Sequence, residues 1–63
     1  MLMLARRIRE EIVVYTDDGL LITIGVYEMH GGQVKLGIDA PPHVHIDRKE
    51  IYSRKHPNKS PGA

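Results

Sequence analysis

With 63 residues and no cysteine, the chain must hold itself together without a disulfide or a thiolate metal site. A monomer of about 60 residues buries only about 60% of the surface its unfolded form exposes. A chain this short therefore gains by completing its core against a copy of itself, with a minimal monomeric domain as the alternative. No second domain and no internal repeat is legible.

Nine lysines and arginines stand against eight acidic residues. That balance excludes a binder that works by bulk positive charge, so any role on nucleic acid has to rest on where the charges lie. Their distribution is uneven. Arg6, Arg7 and Arg9 lie near the start, Arg48, Lys49, Arg54 and Lys55 near the end, and Asp17, Asp18, Glu28 and Asp39 between. If the two ends meet on one surface, that surface is basic although the chain is not. The apolar opening, residues 1–5, runs straight into charge and is too short for a signal peptide or a membrane span, and the expected location is cytoplasmic.

Alternation of side chains predicts a first strand over residues 1–8, with Leu2, Leu4, Arg6 and Ile8 on one face and Arg7 on the other. The β-branched run at 11–15 predicts a second. Asp17-Asp18-Gly19 marks a turn, glycine being free to take a positive φ. A third strand over 20–26 is apolar enough to be buried on both faces. Glu28 to Gly32 forms another turn, and 33–38 alternates with Val34, Leu36 and Ile38 facing a core. Pro41 and Pro42 break the pattern, since proline cannot donate to a ladder. A short fifth strand follows over 43–46. Asp47, with Glu50 three residues later, has the spacing of a helix cap, and the predicted helix runs over 48–55 with Ile51 and Tyr52 as its apolar contacts. The expected fold is all-β with one short C-terminal helix, a folded domain over 1–55 and a flexible tail over 56–63 rich in proline, serine and glycine.

Little in the chain suggests catalysis. Serine occurs only at Ser53 and Ser60, Asp17 and Asp18 read as solvated turn acids, and so small a domain offers little concave space for a substrate. His43 and His45, two apart on a strand, share a face, but two ligands fall short of the four a structural zinc site takes. They read as half-exposed histidines on an edge strand, and no metal and no cofactor is expected. His30 and His56 fall in a turn and the tail. Gly31-Gly32 lacks the lysine and helix of a phosphate loop. The arginines are more suggestive. Individually they read as edge protection or solvated charge. Together, beside the unpaired peptide groups of short strands, they offer guanidinium forks for phosphates and base edges of single-stranded RNA.

The opening Met1-Leu-Met-Leu-Ala-Arg-Arg7, the stretch Gly32-Gln-Val-Lys-Leu-Gly-Ile38, Ala40-Pro-Pro-His-Val44 and Ile46-Asp-Arg-Lys-Glu-Ile-Tyr52 resemble, in this order, the first, fourth and fifth strands and the helix of the carbon storage regulator family (CsrA, also called RsmA). The likeness spans roughly residues 1–53. It implies five short strands per chain in an intertwined, strand-swapped homodimer, in which the first and last strands of one chain pair with strands of the other. It implies a translational regulator, not an enzyme, that recognises GGA in hairpin loops or unpaired leader regions of messenger RNA, blocking ribosome access or altering message stability. GGA-rich small RNAs would titrate it and a protein antagonist could bind it; neither membrane nor DNA is expected as a partner. Carried over by position, the RNA contacts are Leu4, Arg6 and Arg7 on the first strand, and Pro41, Pro42, His43, Val44, His45, Ile46, Asp47 and Arg48 on the fifth strand and its approach. Arg48 matches the arginine most important for binding, Val44 and Ile46 shape the strand beside it, and the main chain from Pro41 to Asp47 meets the bases.

Two departures from the family stand out. Arg9 occupies a place usually held by glycine, so the turn after the first strand is expected to change shape, with Arg9 available as a phosphate contact. The turns at 16–19 and 27–31 are longer than usual. A different class of function fits the same fold: a protein-interaction module that binds or antagonises a regulator without GGA-specific RNA binding.

Overall fold

The computed structural model describes residues 1–57, and the tail expected over 56–63 lies mostly outside the described residues. Five strands and one helix form: β1 (Leu2–Arg6), β2 (Glu11–Tyr15), β3 (Leu21–Gly25), β4 (Val34–Ile38), β5 (His45–Arg48) and α1 (Lys49–Lys55). The all-β architecture with a short C-terminal helix is as expected. The strands make two antiparallel sheets, a pair β1–β4 and a three-stranded sheet ordered β3–β2–β5.

β2 is the central strand of its sheet, with a strand on each side and β-branched residues at Ile12, Val13 and Val14. Its Ile12 and Val13 are completely buried, and Leu4 of β1 and Tyr52 of α1 close the core around them. β1 lies against β4 with Leu2 opposite Ile38 and Leu4 opposite Leu36. β5 lies against β2 with Val14 opposite Ile46 and Ile12 opposite Arg48. The first and last strands, which the family resemblance expects to pair with sheets partly built by a second chain, are paired here within one chain.

The two internal turns nearest the sheets are well defined. Between β2 and β3, Gly19 takes φ +105° while its N–H donates to the Thr16 carbonyl at 3.2 Å, the role expected of glycine there. Between β1 and β2, where glycine is absent, the positive φ falls on an arginine. Arg9 itself adopts φ +69°, its N–H donates to the Val26 carbonyl at 2.6 Å, and the Glu10 N–H donates to the Arg7 carbonyl at 3.0 Å. Glu10 also turns back so that its carboxylate accepts the Arg7 N–H at 2.7 Å.

Three sequence expectations need correction. β3 is not buried on both faces: as the outer strand of its sheet it leaves Leu21, Ile22 and Ile24 exposed. The fifth strand begins at His45, because the Val44 N–H folds back onto the Pro41 carbonyl at 3.0 Å and holds residues 41–44 in a turn. Asp47 does not cap the helix; it sits inside β5, and α1 starts from Arg48 with no side-chain cap. Asp47 instead accepts hydrogen bonds from the Tyr15 hydroxyl at 2.8 Å and from Lys55 Nζ at 3.3 Å, partners on a neighbouring strand and at the far end of the helix.

Candidate nucleic-acid interface

The end of β1, the start of β2 and the end of β5 come together at one edge of the molecule. Arg48 is the register partner of Ile12, and Lys49 beside it reaches back to Glu11 at 2.8 Å. Arg6 closes the cluster from β1. Alternation placed it with Leu4, and both are buried. Its guanidinium donates two parallel hydrogen bonds, both 3.0 Å, to the two carboxylate oxygens of Glu50, and a third to the Glu11 carbonyl at 3.2 Å. Such a bidentate pair is among the stronger polar contacts a protein makes. The hydrogen bond to Glu50 raises the Arg6 pKa further, and the same contact holds the Glu50 carboxyl below the usual carboxylate range. Glu11 is likewise lowered, first by its hydrogen bond with Lys49.

Arg6, expected as an RNA contact, has its side chain turned inward in this chain. Its charge is spent on joining β1 to α1, and its side chain is hardly exposed. Leu4 is also a core residue. No feature of the sequence pointed to Glu50 as Arg6's partner, 44 positions away. Its spacing from Asp47 was legible only as a cap.

The remaining candidates fall into two groups. Arg7, directly after β1, and Arg48, at the end of β5, are exposed. Among the described residues neither enters an ion pair or side-chain hydrogen bond. Pro41, Pro42 and His43 are exposed on the turn before β5, while Val44, His45, Ile46 and Asp47 are half-buried. Pro41, Val44 and Ile46 face Met1, Leu2 and Ile38 across a groove of about 340 Å³. His45 stacks beside Tyr15, with ring centroids 4.9 Å apart, and its Nε2 lies 3.1 Å from Asp17. His43 is on the turn rather than a strand, so the two histidines do not share a strand face. Among the described residues no group of three or more histidine, aspartate and glutamate side chains is placed to hold a metal ion.

β5 is paired with β2 along one edge only, and β1 with β4 along one edge only. Their other edges are unpaired among the described residues, with Arg7 directly after β1 and Arg48 at the end of β5. No helix among the described residues is long and apolar enough to cross a membrane.

The model of the family described as "CsrA: Global regulator protein family" matches residues 1–56. A Bacillus subtilis (strain 168) protein called "Translational regulator CsrA" is 52% identical over 52 residues, covering 82% of this chain and 65% of that protein. The Thermotoga maritima protein of the same name is 48% identical over 52 residues, covering 82% of this chain and 58% of its own length. The chain thus spans less than two thirds of the length of these curated relatives. No solved structure matches it. The family match runs from the first strand through the helix and includes every strand edge and arginine of the interface, and on that ground the chain belongs to the CsrA family.

Proposed function

We propose that the protein is an RNA-binding translational regulator that recognises GGA in hairpin loops and leader regions of messenger RNA and works by occupying the message, not by catalysis. The observation that carries this reading is the pair of exposed arginines, Arg7 and Arg48, which enter no ion pair among the described residues and lie beside two unpaired strand edges. Main chain of β1 and of residues 41–47 reads the bases, and the two guanidinium groups take phosphates and help orient guanine. Pro41, Pro42 and His43 border the path of the strand, and Val44 and Ile46 support it from the groove. Arg6 and Leu4 act from inside, fixing β1 against α1 and the core.

The same reading makes the working unit a homodimer that exchanges the β1–β4 and β5–β2 pairings between chains, giving two identical sites. One RNA bridging both gains avidity. Bound leader RNA is closed to the ribosome or altered in stability, GGA-rich small RNAs compete for the sites, and the location is the cytoplasm. A second reading, a protein-interaction module that binds or antagonises another regulator, draws on the apolar surface of β3 and Tyr27.

The deciding experiment is a binding titration of wild type and Arg48→Ala against a GGA hairpin and its CCA variant. A charge-assisted hydrogen bond contributes about 1.5–3 kcal/mol, so Arg48→Ala should weaken GGA binding by roughly 10- to 100-fold, and wild type should prefer GGA over CCA. Equal, salt-sensitive binding to both RNAs would reduce the interface to charge alone. An absence of binding would favour the protein-interaction module.

A further inference from the structure

Around the β1–β2 turn, five cations (Arg6, Arg7, Arg9, Arg48 and Lys49) surround three carboxylates (Glu10, Glu11 and Glu50). Each carboxylate is already engaged. Glu50 is held by Arg6, Glu11 by Lys49, and Glu10 accepts the Arg7 main-chain N–H while lying 3.8 Å from Arg6. Arg7, Arg9 and Arg48 remain with their charges uncompensated by any ion pair among the described residues. The local balance is therefore positive although the chain's net charge is only +1, and it is concentrated on one turn and one strand end.

Arg9 is the least expected of the three. Among the described residues it is the one non-glycine residue with a positive φ, a conformation that glycine enters freely and an L side chain enters at a cost. Its side chain is exposed and makes no hydrogen bond or ion pair among the described residues. The two main-chain bonds that fix the turn, from Arg9 N–H to Val26 and from Glu10 N–H to Arg7, would be made equally by glycine. A strained backbone carrying a charged side chain with no structural partner is a reason to look for a ligand. The Arg9 N–H is tied to the Val26 carbonyl and the next N–H, of Glu10, to the Arg7 carbonyl, so the exposed Arg9 side chain stands on a hydrogen-bonded turn.

We infer that Arg9 is an additional phosphate contact, extending the RNA path from Arg48 and Arg7 past the β1–β2 turn onto the backbone of nucleotides flanking the recognised bases. This rests on the RNA-binding reading above and adds to it a contact that carries affinity without sequence information, since phosphates are the same at every position.

The test compares wild type, Arg9→Gly and Arg9→Lys, each titrated at several salt concentrations against the GGA hairpin and its CCA variant. Each phosphate neutralised on a single strand contributes about 0.7 to the slope of log K against log salt. Arg9→Gly should lower that slope by about 0.7 and weaken binding several-fold at low salt, while the ratio of GGA to CCA affinity stays that of wild type. Its melting temperature should equal or exceed wild type, which separates lost contact from lost fold. Arg9→Lys, which keeps the charge, should keep the slope. If wild type prefers GGA and Arg9→Gly leaves the slope unchanged, the inference is wrong and the RNA-binding reading stands. If Arg9→Gly changes the GGA to CCA ratio, Arg9 reads sequence and the inference is again wrong. If wild type shows no preference for GGA, the underlying reading falls, and the inference with it.

Discussion

At the scale of single residues, the sequence was informative wherever a side chain's surroundings follow from its neighbours in the chain. Gly19 between two aspartates takes the positive φ expected of it. Alternation correctly puts Arg6 on the face of Leu4, and both side chains are buried. The partner of Arg6, Glu50, was illegible because nothing local links β1 to the helix. That pair supports a prediction. Removing Glu50 leaves Arg6 buried with its strongest acceptor gone, and hydrogen bonds to charged groups contribute about 1.5–3 kcal/mol. Since Glu50 is half-exposed, Glu50→Ala should cost about 2 kcal/mol in urea unfolding. Lys55→Ala, which removes an exposed pair with Asp47, should cost under about 1 kcal/mol. The pH dependence follows with its sign. Glu50 and Glu11 are held below the ordinary 4.5 of a glutamate, so their contribution is present above that value and is lost as pH falls through the folded-state values. Glu50→Gln should be less stable than wild type at neutral pH and lose less on acidification below about 4.5; parallel curves would mean the pair does not couple to folding.

At the scale of elements, strand and helix identities were legible from alternation and β-branching, while two boundaries were not. The β5–α1 junction shows why. Asp47 and Glu50 have capping spacing, but a capping residue must leave the strand, and Asp47 is held in β5 opposite Val13 with its carboxylate turned to Tyr15 and Lys55. These alternatives differ in a measurable way. Burial, and then the hydrogen bond to Asp47, push the Tyr15 hydroxyl from 10.0 up to about 12. A raised value means the neutral phenol is favoured in the fold, so its contribution to stability is complete below about 10 and is lost as pH rises toward 12. In an ultraviolet titration of the native protein one tyrosine should ionise near 12. Asp47→Ala should bring that step down while leaving the helical circular dichroism signal largely unchanged. A loss of helix with Tyr15 unmoved would restore the capping assignment. β3 was misjudged for a different reason: its apolar run at 20–26 predicts burial, but burial depends on how many sheets face it, and in one chain β3 is an outer strand.

At the scale of the whole molecule, the chain is too short to enclose its own apolar surface. Among the described residues only Leu4, Ile12, Val13 and Tyr52 form the buried apolar core, while Met3, Leu20, Leu21, Ile22, Ile24 and Tyr27 stand exposed. Scattered exposed apolar residues are ordinary, but a contiguous run on one strand marks an interaction surface. The antiparallel β1–β4 and β5–β2 pairings have registers that a second chain could supply as well as the first, and exchanging them would bring two β3 strands into the same assembly. A dimer of this kind should sediment with the mass of two chains at micromolar concentration. Its melting temperature should rise with protein concentration, because dissociation accompanies unfolding. Ile22 and Ile24 belong to no intrachain core, so Ile24→Lys changes little within a chain that stands alone. In a dimer that covers β3 it would bury an unpaired charge, and the variant should sediment as a single chain or melt well below wild type. Should wild type instead run as one chain with a concentration-independent transition, and Ile24→Lys melt as wild type does, then β3 is a surface left open in the free protein. The strand exchange would then be wrong, and the two-site mode of RNA binding would fail with it, leaving a single site built from β1, the β1–β2 turn and β5 of one chain.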